Sequence, residues 1–264
     1  MRAGFYQFEP HFGEKERNVE KALHALDDVD ADLIVLPEFF ATGYQFVSGK
    51  EVAKLSEHVP HDYTTEMLAE FSRRKGMHIV AGLPEKDGIR FYNSAVLTGP
   101  EGYIGVYRKT HLFFEEKLWF APGNTGFKVF STAVGQIGIM ICFDWFFPES
   151  MRTLALKGAE VVAHPSNLVL PHCPSAMPLR CLENRVYAVT ANRVGIENRK
   201  KGQTLKFIGT SQVMSPDGVI CAKAPEKGES LEIADITPEE AKDKSLNAFN
   251  DLFQDRRPEM YWDK

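Results

Sequence analysis

Three residues with the chemistry for covalent catalysis stand directly after apolar runs in this 264-residue chain. Glu38 follows Leu33-Ile-Val-Leu-Pro37, Lys109 follows Tyr103-Ile-Gly-Val-Tyr-Arg108, and Cys142 follows Gly138-Ile-Met-Ile141. Strand ends are where α/β folds put reactive side chains. A cysteine that attacks a carbonyl needs an exposed sulfur, a nearby cation that depresses the thiol pKa, and two donors for the developing oxyanion. The turn Phe143-Asp144-Trp145-Phe146-Phe147-Pro148-Glu149 leads from an apolar run into a helical pattern, the outline of a nucleophile elbow that offers sulfur and a backbone N–H together. Lys109 supplies a cation and one donor, and the Phe143 N–H supplies the other. Each residue also has a plainer use: a loop glutamate, a lysine guarding a sheet edge, a small buried hydrophobe. Their shared placement at strand ends favours chemistry.

The elements that must position them alternate along the chain. Residues 2–8 read as a strand, 14–29 as a helix and 32–36 as a second strand, a βαβ opening. A helix over 64–75 leads to a strand at 78–82, and 93–97 with 102–108 reads as a hairpin around Thr98-Gly-Pro-Glu-Gly102. Strands at 126–131 and 136–142 follow, then a helix with Pro148 in its first turn and Gly158 as its stop. A strand at 160–164, a helix over 176–187, a strand at 188–194 and a hairpin of 210–215 with 219–224 through Pro216-Asp-Gly218 come next. A strand at 231–235 and a short helix at 238–244 complete a mixed α/β order that predicts helices covering sheets in one domain, residues 1–244. Residues 245–264 lack a strong period and read as a tail that packs on the domain or on a partner subunit.

Composition narrows the field. With 44% hydrophobic and 25% charged residues the chain has the make-up of a globular protein with a large core. The net charge of -5 and the lack of a long Lys/Arg run argue against nucleic acid and anionic membrane as partners. No run approaches the ~18 apolar residues of a membrane span, and the first residues alternate and then turn polar, unlike a signal peptide. Four cysteines without a close CxxC pair fit reduced thiols, so a cytoplasmic location is expected.

In the segments Leu-Pro-Glu38-Phe-Phe-Ala-Thr-Gly, Tyr-Arg-Lys109-Thr-His-Leu and Gly-Ile-Met-Ile-Cys142-Phe-Asp, the sequence resembles the nitrilase superfamily of carbon-nitrogen hydrolases, whose Glu-Lys-Cys triad falls in this order. Similarity continues at Phe91-Tyr-Asn-Ser94, at Glu116 before Ala121-Pro-Gly123, at His164-Pro-Ser-Asn167, at Glu183-Asn-Arg185 and at Arg256-Arg-Pro-Glu259, and so spans nearly the whole chain. The resemblance implies a four-layer αββα sandwich that pairs into a homodimer or higher oligomer, and no metal or organic cofactor. It also implies that Glu38 takes the thiol proton and later activates water, that Cys142 forms a thioester, and that Lys109 steadies the tetrahedral intermediate. Glu116 matches a supporting acidic position that helps hold Lys109 and substrate. Beside Glu115 and Lys117 it would otherwise pass for a surface charge.

Other chemistries lack their signatures. GxSxG, GxxxxGK(S/T) and GxGxxG are absent, and His164, His172 and Cys173 do not have zinc-site spacing. His111 can share a face with Lys109 along an extended segment; the resemblance assigns the base to Glu38, which leaves His111 to packing or orientation. Aromatic runs at Phe113-Phe114, Trp119-Phe120 and Trp145-Phe146-Phe147 flank two of the three candidates. With Asn167 they suggest a narrow apolar pocket, in which Phe113, Phe114 and Trp145 admit a small acyl group. Amide and nitrile are both open to Cys142 and both shed ammonia. Phe143-Asp144-Trp145 after the cysteine differs from the Trp-Glu of many nitrilases proper, so amidase is the leading expectation, nitrilase the alternative, and a non-catalytic binding module a distant third.

Overall fold

The computed structural model describes residues 1–261. Its first half comprises β1 (Arg2–Gln7), α1 (Lys15–Leu26), β2 (Leu33–Val35), α2 (Gly49–Leu55), α3 (Tyr63–Lys75), β3 (His78–Asp87), β4 (Arg90–Gly99) and β5 (Gly102–Arg108). Next come α4 (Glu116–Trp119), β6 (Val129–Thr132), β7 (Gly135–Ile139), a 3-10 turn over Cys142–Phe146, α5 (Pro148–Leu156), β8 (Val161–Pro165), α6 (His172–Asn184) and β9 (Tyr187–Ala191). The last strands are β10 (Ile196–Lys200), β11 (Gln203–Lys206), β12 (Gln212–Met214), β13 (Ile220–Lys223) and β14 (Ser230–Asp235). They form two six-stranded sheets, ordered β14-β1-β2-β3-β4-β5 and β13-β12-β9-β8-β7-β6, with β10 and β11 as a separate hairpin.

Period-two side chains explain the layers. Phe5, Val35, Val80 and Leu97 point from the first sheet into a core shared with Ile137, Ile139, Val161 and Val189 of the second. Their neighbours Tyr6, Ile34, Ile79 and Val96 point the other way, against Val19, Leu23 and Leu26 of α1 and Leu68 and Phe71 of α3. Because both faces are covered, the central parallel strands read as unbroken apolar runs. On the far side, Met151 and Leu154 of α5 and Met177 and Cys181 of α6 close the second sheet. The order is helices, sheet, sheet, helices: the four-layer αββα sandwich.

Pro148 opens α5, and Gly158 follows it at φ 87, as expected. Several boundaries differ. The helix expected over 176–187 is α6, His172–Asn184; the chain reverses at Arg185 (φ 46), which frees Tyr187 to pair with Val161 in β8. The strand expected over 136–142 ends at Ile139, three residues short of Cys142. The short helix at 238–244 is a 3-10 turn ending at Lys242. The strands at 78–82 and 93–97 are the middles of ten-residue β3 and β4, which pair from Ile79–Thr98 out to Asp87–Arg90. Helix α2, capped by the Ser48 side chain, and the polar β10–β11 hairpin were not anticipated.

No helix among the described residues is long and apolar enough to cross a membrane. All four cysteines are free thiols; Cys142, Cys173 and Cys181 are buried and Cys221 is exposed. In the tail, Phe253 lies 5.2 Å under the Arg152 guanidinium and 5.0 Å under the Lys244 ammonium. The last three residues of the expected tail, 262–264, lie outside the described residues.

Candidate active site

Glu38 sits three residues past β2, where the chain still leans on β3: Leu36 N–H donates to Val80 O (2.8 Å) and Phe40 N–H to Gly82 O (3.2 Å). The approach requires glycine at 82, because a Cβ there would lie 2.5 Å from Glu38 Cα. Lys109 is the first residue after β5, fixed by its N–H to Asn93 O (2.7 Å) and by Gly123 N–H to its own carbonyl (2.8 Å). Cys142 opens the 3-10 turn with φ 40. Phe39 (φ 51) and Phe114 (φ 47), next to Glu38 and near Glu116, share that left-handed backbone. Such strain in non-glycine residues gathers where surrounding structure enforces a functional geometry.

Hydrogen bonds hold the elbow. The buried Asp144 carboxylate accepts from Ile141 N–H (2.9 Å) and Tyr107 O–H (2.7 Å) at Oδ2, and from His111 N–H (3.0 Å) at Oδ1, with His111 Nδ1 at 2.8 Å. It thus ties the cysteine turn to β5 and to the loop after Lys109. Behind the turn, buried His164 contacts Cys142 O through Nε2 (2.9 Å) and Thr190 Oγ1 through Nδ1 (3.0 Å). Burial drives its pKa down to about 4, so the ring is neutral and its Nε2–H donates to the carbonyl. The 3-10 ladder begins with Asp144 N–H on Ile141 O (3.0 Å), so the Phe143 N–H precedes it, as an oxyanion donor must.

The polar residues converge from three elements. Lys109 Nζ donates to Glu38 Oε1 (2.7 Å) and to both Glu116 oxygens (2.8 and 2.9 Å), with Lys109 and Glu38 wholly buried and Glu116 5% exposed. Asn93 Nδ2 donates to Glu38 Oε1 (2.6 Å), Tyr44 O–H to Glu116 Oε1 (2.7 Å), and Phe113 N–H to Glu116 Oε2 (3.2 Å). Glu38 Oε2 has no hydrogen-bond partner among the described residues. Asn167 Nδ2 donates to Glu38 O (2.8 Å), which fixes the amide's orientation, and its buried Oδ1 is likewise unpartnered.

The electrostatics follow from this packing. Burial raises the Glu38 pKa, Lys109 pulls it back and Glu116 pushes it up again, leaving it at about 7. Burial alone would lower Lys109, but Glu116 and Glu38 outweigh it and hold the ammonium well above its usual range. The expectation of a thiol depressed by a nearby cation is corrected here. Burial and the Glu38 carboxylate push Cys142 well up against the pull of Lys109, so the resting group is a thiol.

A cavity of about 50 Å³ reaches Cys142, lined by Phe113, Phe143, Trp145, Phe146, Asn167 and residues 168–170 and 172. Phe114 lies instead in an adjoining recess with Tyr44, Glu116, Trp119 and Phe120; the two share Phe113 and Val169. His111 faces Asp144 and stacks on Phe147 at 3.7 Å, not on the Lys109 side. Among the described residues no group of three or more His, Cys, Asp or Glu side chains could hold a metal ion. Sequence reasoning did not single out Tyr44, met Asp144 and Asn93 only inside quoted segments, and weighed His164 only as a metal ligand. Asn93 had a detectable signal, a polar residue facing inward from an apolar strand.

The family model for carbon-nitrogen hydrolase matches residues 2–244. The chain is 48% identical to a Pyrococcus abyssi protein named nitrilase, over 99% of each chain. It is 35% identical to an (R)-stereoselective amidase of a Pseudomonas species, over 85% of this chain and 81% of that one. The structure of a cysteine-to-alanine mutant of a Nesterenkonia amidase from the nitrilase superfamily superposes with a TM-score of 0.80 at 26% identity, covering 98% of this chain and 95% of that one. With the sandwich, the buried acid-lysine cluster and the cysteine elbow in place, these matches make the chain a member of the nitrilase superfamily, a hydrolase of carbon-nitrogen bonds.

Proposed function

We propose that the chain is an amidase that converts a small, uncharged carboxamide to its acid and ammonia. The observation that carries this choice is the pair of unpartnered buried acceptors, Glu38 Oε2, on a carboxylate near enough to raise the Cys142 pKa, and Asn167 Oδ1, on a side chain lining the cavity that reaches the thiol. A carboxamide brings two N–H donors to satisfy them; a nitrile nitrogen brings none.

The steps follow from the geometry. Glu38, with a pKa near operating pH, takes the Cys142 proton as sulfur attacks the carbonyl carbon. The oxyanion is met by Lys109 Nζ and the Phe143 N–H, while Glu116 holds the ammonium in position. Glu38 then returns the proton to the leaving nitrogen, ammonia departs and a thioester remains. A water deprotonated by Glu38 attacks the thioester, releasing the acid and restoring the thiol. Phe113, Phe143 and Trp145 suit a short aliphatic or aromatic acyl group, and the mechanism needs neither metal nor cofactor.

A panel of matched short amides, nitriles and carbamoyl compounds, read as ammonia, tests the reading. Amides are expected to exceed the matched nitriles by at least about tenfold in kcat/KM, the worth of one unmet buried acceptor. Cys142→Ala is expected to stop all release with the circular dichroism unchanged. Turnover by that variant ends the proposal, and a preference for nitriles transfers it to the second reading. That reading, a nitrilase for small aliphatic nitriles, is favoured by the Pyrococcus abyssi relative. We further propose a cytoplasmic homodimer built from one domain, residues 1–244, with the tail at the pairing face. Exposed Leu179, Leu182 and Phe249 on α6 and the tail support it.

A further inference from the structure

We propose that Tyr44 is a positioning residue that sets how Lys109 is shared between Glu38 and Glu116, held in place by the buried Arg193–Glu197 pair. The proposal rests on reading Glu38, Lys109 and Cys142 as the reacting group.

Tyr44 is gripped at both ends. Its hydroxyl donates to Glu116 Oε1 (2.7 Å), and its backbone N–H donates to both oxygens of Glu197 (3.1 and 3.2 Å). The Glu197 carboxylate also takes the Gln45 N–H (2.5 Å) and the Arg193 guanidinium. Both members of that ion pair are buried, and Arg193 further donates to Pro10 O and Val194 O and lies 4.1 Å over the Phe207 ring. Phe207 in turn meets the Tyr44 ring edge-on at 6.0 Å. Gly43 gives the clamp its room: a Cβ there would fall 2.9 Å from Glu197 Oε1, and its φ of 80 suits glycine. A buried ion pair is costly unless its remaining hydrogen bonds are made, and two of those made here fix the loop that carries Glu38 and Tyr44.

The effect passes through charge. Glu116 accepts from Lys109 and Tyr44 on Oε1 and from Lys109 and Phe113 on Oε2. The Tyr44 hydroxyl offsets part of that negative charge and leaves more of the ammonium to Glu38. Without it, Glu116 draws Lys109 away from Glu38 and repels Glu38 more strongly, and both changes favour protonated Glu38. The groups facing Glu38 are Lys109 at the end of β5, Glu116 on α4, Cys142 at the elbow, Tyr44 on its own loop and the neutral Asn93 on β4.

The test is the pH dependence of Cys142 alkylation by iodoacetamide in the full chain, followed by peptide mapping from pH 5 to 9, which needs no substrate assignment. The wild-type rate should climb with a midpoint near 7, as Glu38 becomes able to take the proton. In Tyr44→Phe the midpoint should move up by about half a unit, the share of one hydrogen bond, and the rate at pH 7 should fall about twofold. Gly43→Ala, which presses on the clamp without emptying the Arg193 pair, should move it the same way. Tyr6→Phe, which loses only a hydroxyl bond to Glu229, should superimpose on wild type. A midpoint unmoved in Tyr44→Phe overturns the proposal, even if rates fall equally at every pH, and one unmoved in Gly43→Ala removes the clamp from it. If the midpoint shifts while no amide or nitrile yields ammonia, the amidase reading fails and the positioning role stands.

Discussion

Asp144→Asn isolates the latch between the cysteine turn and the lysine strand, because it keeps the shape and removes one acceptor. The carboxylate serves Ile141 N–H and Tyr107 O–H on one oxygen and His111 N–H and Nδ1 on the other. An asparagine oxygen can face only one of these sets. Its NH2 must then face either the Ile141 or the His111 backbone donor, which is left unmet at about 1–3 kcal/mol. Tyr107 can turn its O–H toward Thr110 Oγ1 (3.0 Å), so it adds little. The bonds that survive lose their charge-assisted strength, about another 1 kcal/mol, for roughly 3 kcal/mol in all. A chain of this size loses about 2–4 °C in Tm per kcal/mol, so calorimetry should record a fall of about 6–12 °C. The left-handed backbone of Cys142 is held by the same bonds and should relax, cutting kcat by about tenfold or more, as misplacement of a reacting group does. A variant with Tm within about 2 °C of wild type and unchanged kcat would refute the latch.

Two further outcomes follow from the site. The Glu38 pKa is raised to about 7, so the base form is lost below that pH; kcat/KM for an amide should rise from pH 6 to 8 with a midpoint near 7, and a profile flat over that range removes Glu38 as the base. Gly82→Ala puts a methyl group 2.5 Å from Glu38 Cα and should lower kcat by about tenfold or more with circular dichroism unchanged, whereas full activity would mean that the approach of β3 does not set the Glu38 position.

The layered fold was legible because its signal is redundant. Buried parallel strands read as continuous apolar runs, and α1 and α3 carry one apolar stripe each, so an error of a few residues at a boundary changes nothing in the layer order. Where one residue decides, the reading failed: α6 stops at Arg185 because that arginine takes φ 46, a choice made by tertiary packing and not by helix propensity. The β10–β11 hairpin was missed because Ile-Glu-Asn-Arg-Lys is polar like a loop, and its Glu197 is buried against partners outside the hairpin, Arg193 and the Tyr44 and Gln45 N–H groups.

Glu116 makes the same point inside the site. In sequence it stands between Glu115 and Lys117 with nothing to separate them. In the fold Glu115 pairs with Lys200 toward solvent while Glu116 turns inward to Lys109, Tyr44 and the Phe113 N–H, a divergence that follows the left-handed backbone at Phe114. That one rotation also bears on why the expected depressed thiol is not found. Burial pushes the thiol up first, and the two buried carboxylates that pair with Lys109, Glu38 and the inward-turned Glu116, push it up further and offset the pull of the ammonium. In the proposed mechanism, attack by Cys142 therefore depends on Glu38 taking the proton in the same step. The chemistry is set by how one ammonium is divided among its neighbours, and no inspection of the three motifs separately could have given that.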